Sequence, residues 1–128
     1  MGRILIVDDM PASREAMSKI LQHKGYQTVC ASNGEEGILQ LRKSNPDLIL
    51  LDHMMPKVDG LTFLAQIRRF PKWTTLPVIM MTGIKDRVHQ MKAAALGVNE
   101  YVVKTETTTP DLVGHVERLV PVSPAAKE

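Results

Sequence analysis

Short apolar runs rich in branched residues recur along this chain: Ile4–Val7, Leu48–Leu51, Val78–Met81 and Tyr101–Val103, with a weaker fifth at Thr28–Ala31. Runs this short, apolar on every residue rather than on alternate ones, suit strands covered on both faces, as in a parallel sheet. The stretches between them carry helical spacing. Met17, Ile20 and Leu21 form one stripe, Ile38 and Leu41 a second, and Leu61, Leu64 and Ile67 a third. Val88, Met91 and Ala95 follow, then Leu112, Val113, Val116, Leu119 and Val120. Parallel strands require crossover connections, so five strands alternating with five helices predict a doubly wound α/β domain.

The punctuation supports those spans. Ser32 and Glu35 have capping-box spacing before the second helix, and Asp59 can cap the third. Thr109–Pro110 reads as N-cap and first position of the fifth helix. Gly25 and Gly97 stand just past the first and fourth, where C-terminal glycines belong. Residues 1–120 read as one domain, and 121–128 (PVSPAAKE) as a flexible tail or the start of a linker.

Composition narrows the function classes. The sequence of 128 residues has 16 Lys+Arg against 14 Asp+Glu, a formal charge of +2. That balance makes no electrostatic case for nucleic acid or a membrane surface as the main partner. The apolar runs are far too short to span a bilayer or to form a signal-peptide core. A single cysteine, Cys30, rules out an internal disulfide and any Cys-based metal cluster. The expected setting is cytoplasmic.

In open parallel sheets, ligands bind beyond the carboxyl ends of the strands. Asp8 and Asp9 follow the first strand, Asp52 the third, Thr82 the fourth and Lys104 the fifth. Each taken alone has an ordinary explanation as a turn residue, a cap or a surface charge. Together they put three carboxylates, a hydroxyl and an ammonium on one rim. Two like charges about 4 Å apart cost roughly 4 kcal/mol at an effective dielectric near 20. A divalent cation relieves that repulsion, and all-oxygen ligands favour Mg²⁺ or Mn²⁺. Lys104 suits a phosphate oxygen and Thr82 can donate to another. Asp52, ending the central apolar strand, is the best-placed nucleophile, since carboxylates attack phosphorus to give an aspartyl phosphate.

The segments Ile4–Asp9 (ILIVDD), Asp47–Gly60 (DLILLDHMMPKVDG), Pro77–Gly83 (PVIMMTG) and Glu100–Lys104 (EYVVK) resemble the receiver domain of two-component response regulators. In size and layout the chain is similar to the stand-alone chemotaxis regulators of that family. The resemblance implies a flavodoxin-like, five-stranded sheet in the order 2-1-3-4-5. It implies that Asp52 accepts phosphate from a histidine kinase or phosphotransfer protein, with Mg²⁺ held by Asp9, Asp52 and the Met54 carbonyl. Asp8 would then act mostly through metal-bound water. Thr82 and Tyr101 match the family's switch pair, which remodels the face built from the fourth helix, fifth strand and fifth helix. A downstream protein or an output domain would read that change. The domain would be a monomer or weak dimer that assists its own phosphotransfer and dephosphorylation without being an enzyme in the usual sense.

The family usually has proline after the lysine, joined by a cis bond; here Thr105 stands there. A cis bond before threonine costs about 3–4 kcal/mol, so a trans or visibly strained bond is expected. In the family, the positions that Met54 and Ile84 occupy here help set how fast phosphate is lost to water. Neither can orient a water, which implies a long-lived phosphoaspartate. A phosphohydrolase of the haloacid dehalogenase type needs Asp-x-Asp after its first strand, whereas this chain has Asp8–Asp9–Met10. A flavodoxin-like cofactor binder needs a Ser/Thr/Gly-rich phosphate loop there, where two aspartates would repel the phosphate. A binding module that never takes phosphate remains the quieter alternative.

The other polar and aromatic residues read as structural. His23, His53, His89 and His115 lack ligand spacing and read as solvated. Cys30 and the methionines read as core filler, Trp73 as local loop packing, and Arg68–Arg69 as a helix C-terminus complementing its dipole.

Overall fold

The computed structural model describes residues 2–52, 59–83 and 86–121. Strands β1 (Arg3–Val7), β2 (Gln27–Ala31), β3 (Leu48–Asp52), β4 (Val78–Thr82) and β5 (Glu100–Val103) form one parallel sheet in the order β2-β1-β3-β4-β5. Helices α1 (Pro11–His23), α2 (Gly34–Ser44), α3 (Gly60–Ile67), α4 (Arg87–Ala95) and α5 (Thr109–Leu119) alternate with them, and a 3-10 turn, Pro71–Trp73, precedes β4. Each apolar run is a strand, extended by one residue at one end.

The pleat sends successive side chains to opposite faces, so each strand feeds two cores. Leu5, Val7, Ile49, Leu51, Val78 and Met80 face the α2–α3–α4 layer, where they meet Leu41, Phe63, Leu64, Ile67 and Ala93. Ile4, Ile6, Leu48, Leu50, Ile79 and Met81 face α1 and α5, where they meet Leu21, Leu112, Val113 and Val116. Burying each of these larger side chains stabilises the fold by about 1.5–3 kcal/mol.

Two helix starts lie one residue from their expected places. The N-cap of α2 is Asn33, whose side chain accepts from Glu36 N at 2.9 Å, not Ser32. Glu36 instead reaches back to Ser32, accepting from its backbone N and its hydroxyl. Both frames offer a cap followed by a glutamate, and packing chooses between them. Gly37 must face Phe63, where a Cβ would come within 2.8 Å of the ring. Likewise Thr108, not Thr109, caps α5, accepting from Asp111 N, and Pro110 falls one place further in, where its missing N–H still costs nothing. Asp59 caps α3 as expected, and Gly25 and Gly97 adopt positive φ at their helix ends.

The larger correction concerns α4. Val88, Met91 and Ala95 do not face the core: Val88 is 58% and Met91 66% exposed, and Ala95 is exposed too. The buried residue of the helix is Ala93. Met10 is also exposed, so the methionines divide between core positions, Met80 and Met81, and surface ones. Trp73 belongs to the main core rather than to a loop. His89 pairs with Asp86 at 3.1 Å and His115 with Glu100 at 3.4 Å, and both imidazoles are half-buried rather than simply solvated.

Arg68 does close α3, yet its guanidinium does not serve its own helix dipole. It is partly buried and donates to four carbonyls: Leu96 and Gly97 at the end of α4, and Trp73 and Leu76 before β4. Gly97, at φ +77°, turns the chain so that its carbonyl can take part.

Candidate functional site

Strand register assembles the site. Val7 lies opposite Leu51, so the residues that follow, Asp8 and Asp52, emerge side by side from the two central strands. Asp52 pairs with Met81 and Thr82 with Val103, which carries Thr82 and then Lys104 one step further along the rim. The ladder continues into the loops: Asp8 N donates to the Ala31 carbonyl at 3.0 Å, and Lys104 N to the Thr82 carbonyl at 2.7 Å.

Asp8, Asp52 and Thr82 are buried at 1%, 3% and 1% exposure, and Asp9 is half-buried. One oxygen from each of the three carboxylates can be chosen so that all lie within 4.8 Å of one another. Lys104 Nζ stands 3.5 Å from Asp52 Oδ1. Three carboxylates, two of them buried, thus crowd together at one end of the sheet, and their hard oxygen donors match Mg²⁺ or Mn²⁺. The residues present therefore fit such an ion.

The surroundings hold the acids in place. Asp8 Oδ1 accepts from Met10 N at 3.0 Å, and the Asp8 carbonyl accepts from Arg14 at 2.7 Å. The peptide bond from Lys104 to Thr105 is trans, as no cis bond occurs among the described residues. A turn closed by Glu106 N on the Val103 carbonyl follows, and Lys104 reaches Asp52 without the usual proline.

Tyr101 is half-buried on β5, with its hydroxyl enclosed and no partner of hydrogen-bonding geometry among the described residues. Burial pushes its pKa up, the nearby Thr82 side chain offsets part of that rise, and the charge of Asp86 adds to it. Asp86 in turn caps α4, accepting from Val88 N and His89 N. The expected switch pair is thus adjacent in space and electrostatically linked to the start of α4. Met54, Ile84 and His53 lie outside the described residues. Sequence reasoning overlooked Arg14 and Asp86. Asp86, an aspartate directly before a helical stretch, was a readable signal; Arg14 was not, because its partner is a backbone carbonyl brought close by folding.

A family model of the response regulator receiver domain matches residues 4–117. The chain belongs to that family. As a response regulator receiver domain it is a component of two-component signalling. Its relatives include the probable transcriptional regulator ycf27 of Pyropia yezoensis, 38% identical over 102 residues, covering 80% of this chain and 41% of that protein. The regulatory protein AfsQ1 of Streptomyces coelicolor is 36% identical over 104 residues, covering 81% of this chain and 45% of its own. The receiver thus spans less than half the length of these two relatives. Among solved structures, Vibrio cholerae chemotaxis protein CheY4 superimposes with a TM-score of 0.87 at 27% identity, covering 94% of this chain and 99% of that one. The Thermotoga maritima response regulator TrrA, in complex with Mg²⁺-BeF, gives a TM-score of 0.81 at 35% identity, covering 94% and 100%. No helix of the receiver, among the described residues, is long and apolar enough to cross a membrane.

Proposed function

We propose that Asp52 is the phosphoacceptor of this receiver domain. The observation that carries the reading is that one buried carboxylate joins both constellations: the acidic cluster with Asp8 and Asp9, and the ion pair with Lys104. An Asp52 oxygen attacks the phosphorus of a phosphohistidine on a histidine kinase or phosphotransfer protein. The P–N bond breaks, the imidazole leaves, and an aspartyl phosphate results. Lys104 neutralises a phosphoryl oxygen, and Thr82 donates to another. The Mg²⁺-BeF complex of the Thermotoga relative supports Mg²⁺ or Mn²⁺ at the cluster of Asp8, Asp9 and Asp52, and the family resemblance adds the Met54 carbonyl, which lies outside the described residues. The bound cation supplies charge neutralisation where anionic oxygens crowd.

Thr82 turning toward the phosphoryl group would take its hydroxyl away from Tyr101 and change the packing around β5 and the start of α4. Phosphorylation shifts this equilibrium only by interacting differently with the two arrangements. The altered α4–β5–α5 face is then read by a downstream protein or by an output domain. Residues 1–120 form the switching unit, working in the cytoplasm where the kinase's phosphoryl donor is made; the expected tail or linker, 121–128, lies beyond Pro121 outside the described residues. The apolar side chains of Met54 and Ile84 leave phospho-Asp52 long-lived.

Mass spectrometry after incubation with acetyl phosphate, with and without Mg²⁺, tests the assignment. One added phosphoryl group is expected on Asp52 with Mg²⁺, and none on Asp52→Ala. No labelling would sink it and favour a binding module that takes no phosphate, and equal labelling of the variant would sink it by placing the phosphoryl group on another residue. Phosphate release within seconds at neutral pH would overturn the slow-loss reading.

A further inference from the structure

The chain passes from β1 into α1 through Asp8, Asp9 and Met10, and two of the three clustered acids sit in that turn. The start of α1 does little to hold it. Met10, at the N-cap, makes no side-chain cap, and Pro11 opens the helix without an N–H. Asp8 Oδ1 accepts from Met10 N at 3.0 Å, which ties the turn to itself. The tie to the body of the helix is Arg14. This half-buried side chain donates from Nη1 to the Asp8 carbonyl at 2.7 Å.

That carbonyl lies in the peptide joining Asp8 to Asp9, and a peptide is a rigid plane from one Cα to the next. The plane on the other side of Asp8 is fixed too, since its N–H donates to the Ala31 carbonyl at 3.0 Å. Arg14 therefore governs the one plane that carries both acids. Its guanidinium stays charged at any working pH, and a charged donor makes the stronger kind of hydrogen bond. The charge of Arg14 also reaches Glu36 on α2, but that carboxylate is taken up by the backbone N–H and the hydroxyl of Ser32. We propose that Arg14 is a positioning residue for the cation site: by holding the peptide between Asp8 and Asp9, it brings both carboxylates to bear on Mg²⁺ together. The inference rests on the acidic cluster being a cation site, and it assigns Arg14 no contact with the phosphoryl group.

Titration of the full chain with Mg²⁺ alone, followed by NMR of backbone amides, tests it without phosphate. Arg14→Met keeps the stem, removes the donor and should weaken Mg²⁺ binding about 10-fold or more, the usual cost of losing a group that orients metal ligands. Arg14→Lys restores a cationic donor and should recover most of that loss, because one bond to one carbonyl needs no planar fork. With Mg²⁺ left out, the Met10 amide should exchange faster in Arg14→Met, while the amides of α5 stay as they were. If Arg14→Met folds poorly, Arg14→Gln, polar but too short to reach the carbonyl, should show the same two changes. Unchanged affinity in these variants, or weaker binding with unchanged exchange at Met10, would overturn the positioning role. Wild-type protein that shows no saturable shifts with Mg²⁺ would instead overturn the cation site itself, and this inference with it.

Discussion

The two helices that flank β5 are held in opposite ways. α5 buries Leu112, Val113 and Val116, and the carbonyl of Val120 at its end accepts a hydrogen bond from the Tyr26 hydroxyl. α4 buries Ala93 and turns Val88 and Met91 to solvent; what fixes it lies at its ends. Asp86 caps the start, and Arg68 grips the carbonyls of Leu96 and Gly97 at the finish. A helix held by apolar contacts along its length moves only by breaking a core. One held at its two ends can change orientation for the cost of a few polar contacts, and the α4 cap, Asp86, is close enough for its charge to act on Tyr101.

The contrast can be broken most severely at Arg68. Arg68→Ala leaves four carbonyls without their donor and should lower unfolding stability by about 3 kcal/mol in urea titration. Hydrogen exchange should rise at the C-terminal turn of α4 and stay unchanged in α5. A loss below about 1 kcal/mol would show that water replaces the guanidinium easily and that α4 is not held there.

On the α5 side the test is alkaline pH. Burial, and then the charge of Glu117, push the Tyr26 pKa up to about 12. A raised pKa means that the neutral phenol stabilises the fold. The contribution is whole below pH 10 and is lost as pH climbs from 10 towards 12, about 2–3 kcal/mol in all. Tyr26→Phe lacks this term, so the stability gap between the two proteins should narrow across that range. A gap that stays constant would contradict the burial of the phenol.

Smaller effects sharpen the picture. Asp86→Ala removes the α4 cap and should cost about 1 kcal/mol, with fraying confined to that helix in hydrogen exchange. Met91→Ala should change stability by less than about 0.5 kcal/mol, because its side chain touches no core. A larger loss would mean that Met91 is covered in solution, which a sedimentation measurement would reveal.

Legibility followed the range of the interaction involved. The strands were readable because a strand buried on both faces must be apolar at every residue, as Leu48–Leu51 is. The α3 stripe was readable because Leu64 and Ile67 do face the core. The same spacing misled in α4, since periodicity reports that an apolar face exists but not which way it points. Trp73 was misplaced because nothing in Phe70–Leu76 tells a loop aromatic from a core one. Arg68 was misread because its partners are backbone carbonyls, which carry no sequence signature.

For the site, the chain alone determined which polar groups end which strands, and hence that Asp8, Asp9, Asp52, Thr82 and Lys104 share a rim. Alternation of strand and helix forces every strand to point the same way, so that much follows from connectivity. Only the folded molecule decided that Lys104 comes within 3.5 Å of Asp52 with a trans bond behind it, and that α4 shows its methionine to solvent. Both depend on how a loop closes and how a helix is rotated. Those are balances among distant contacts of a few kcal/mol each, which no local pattern encodes.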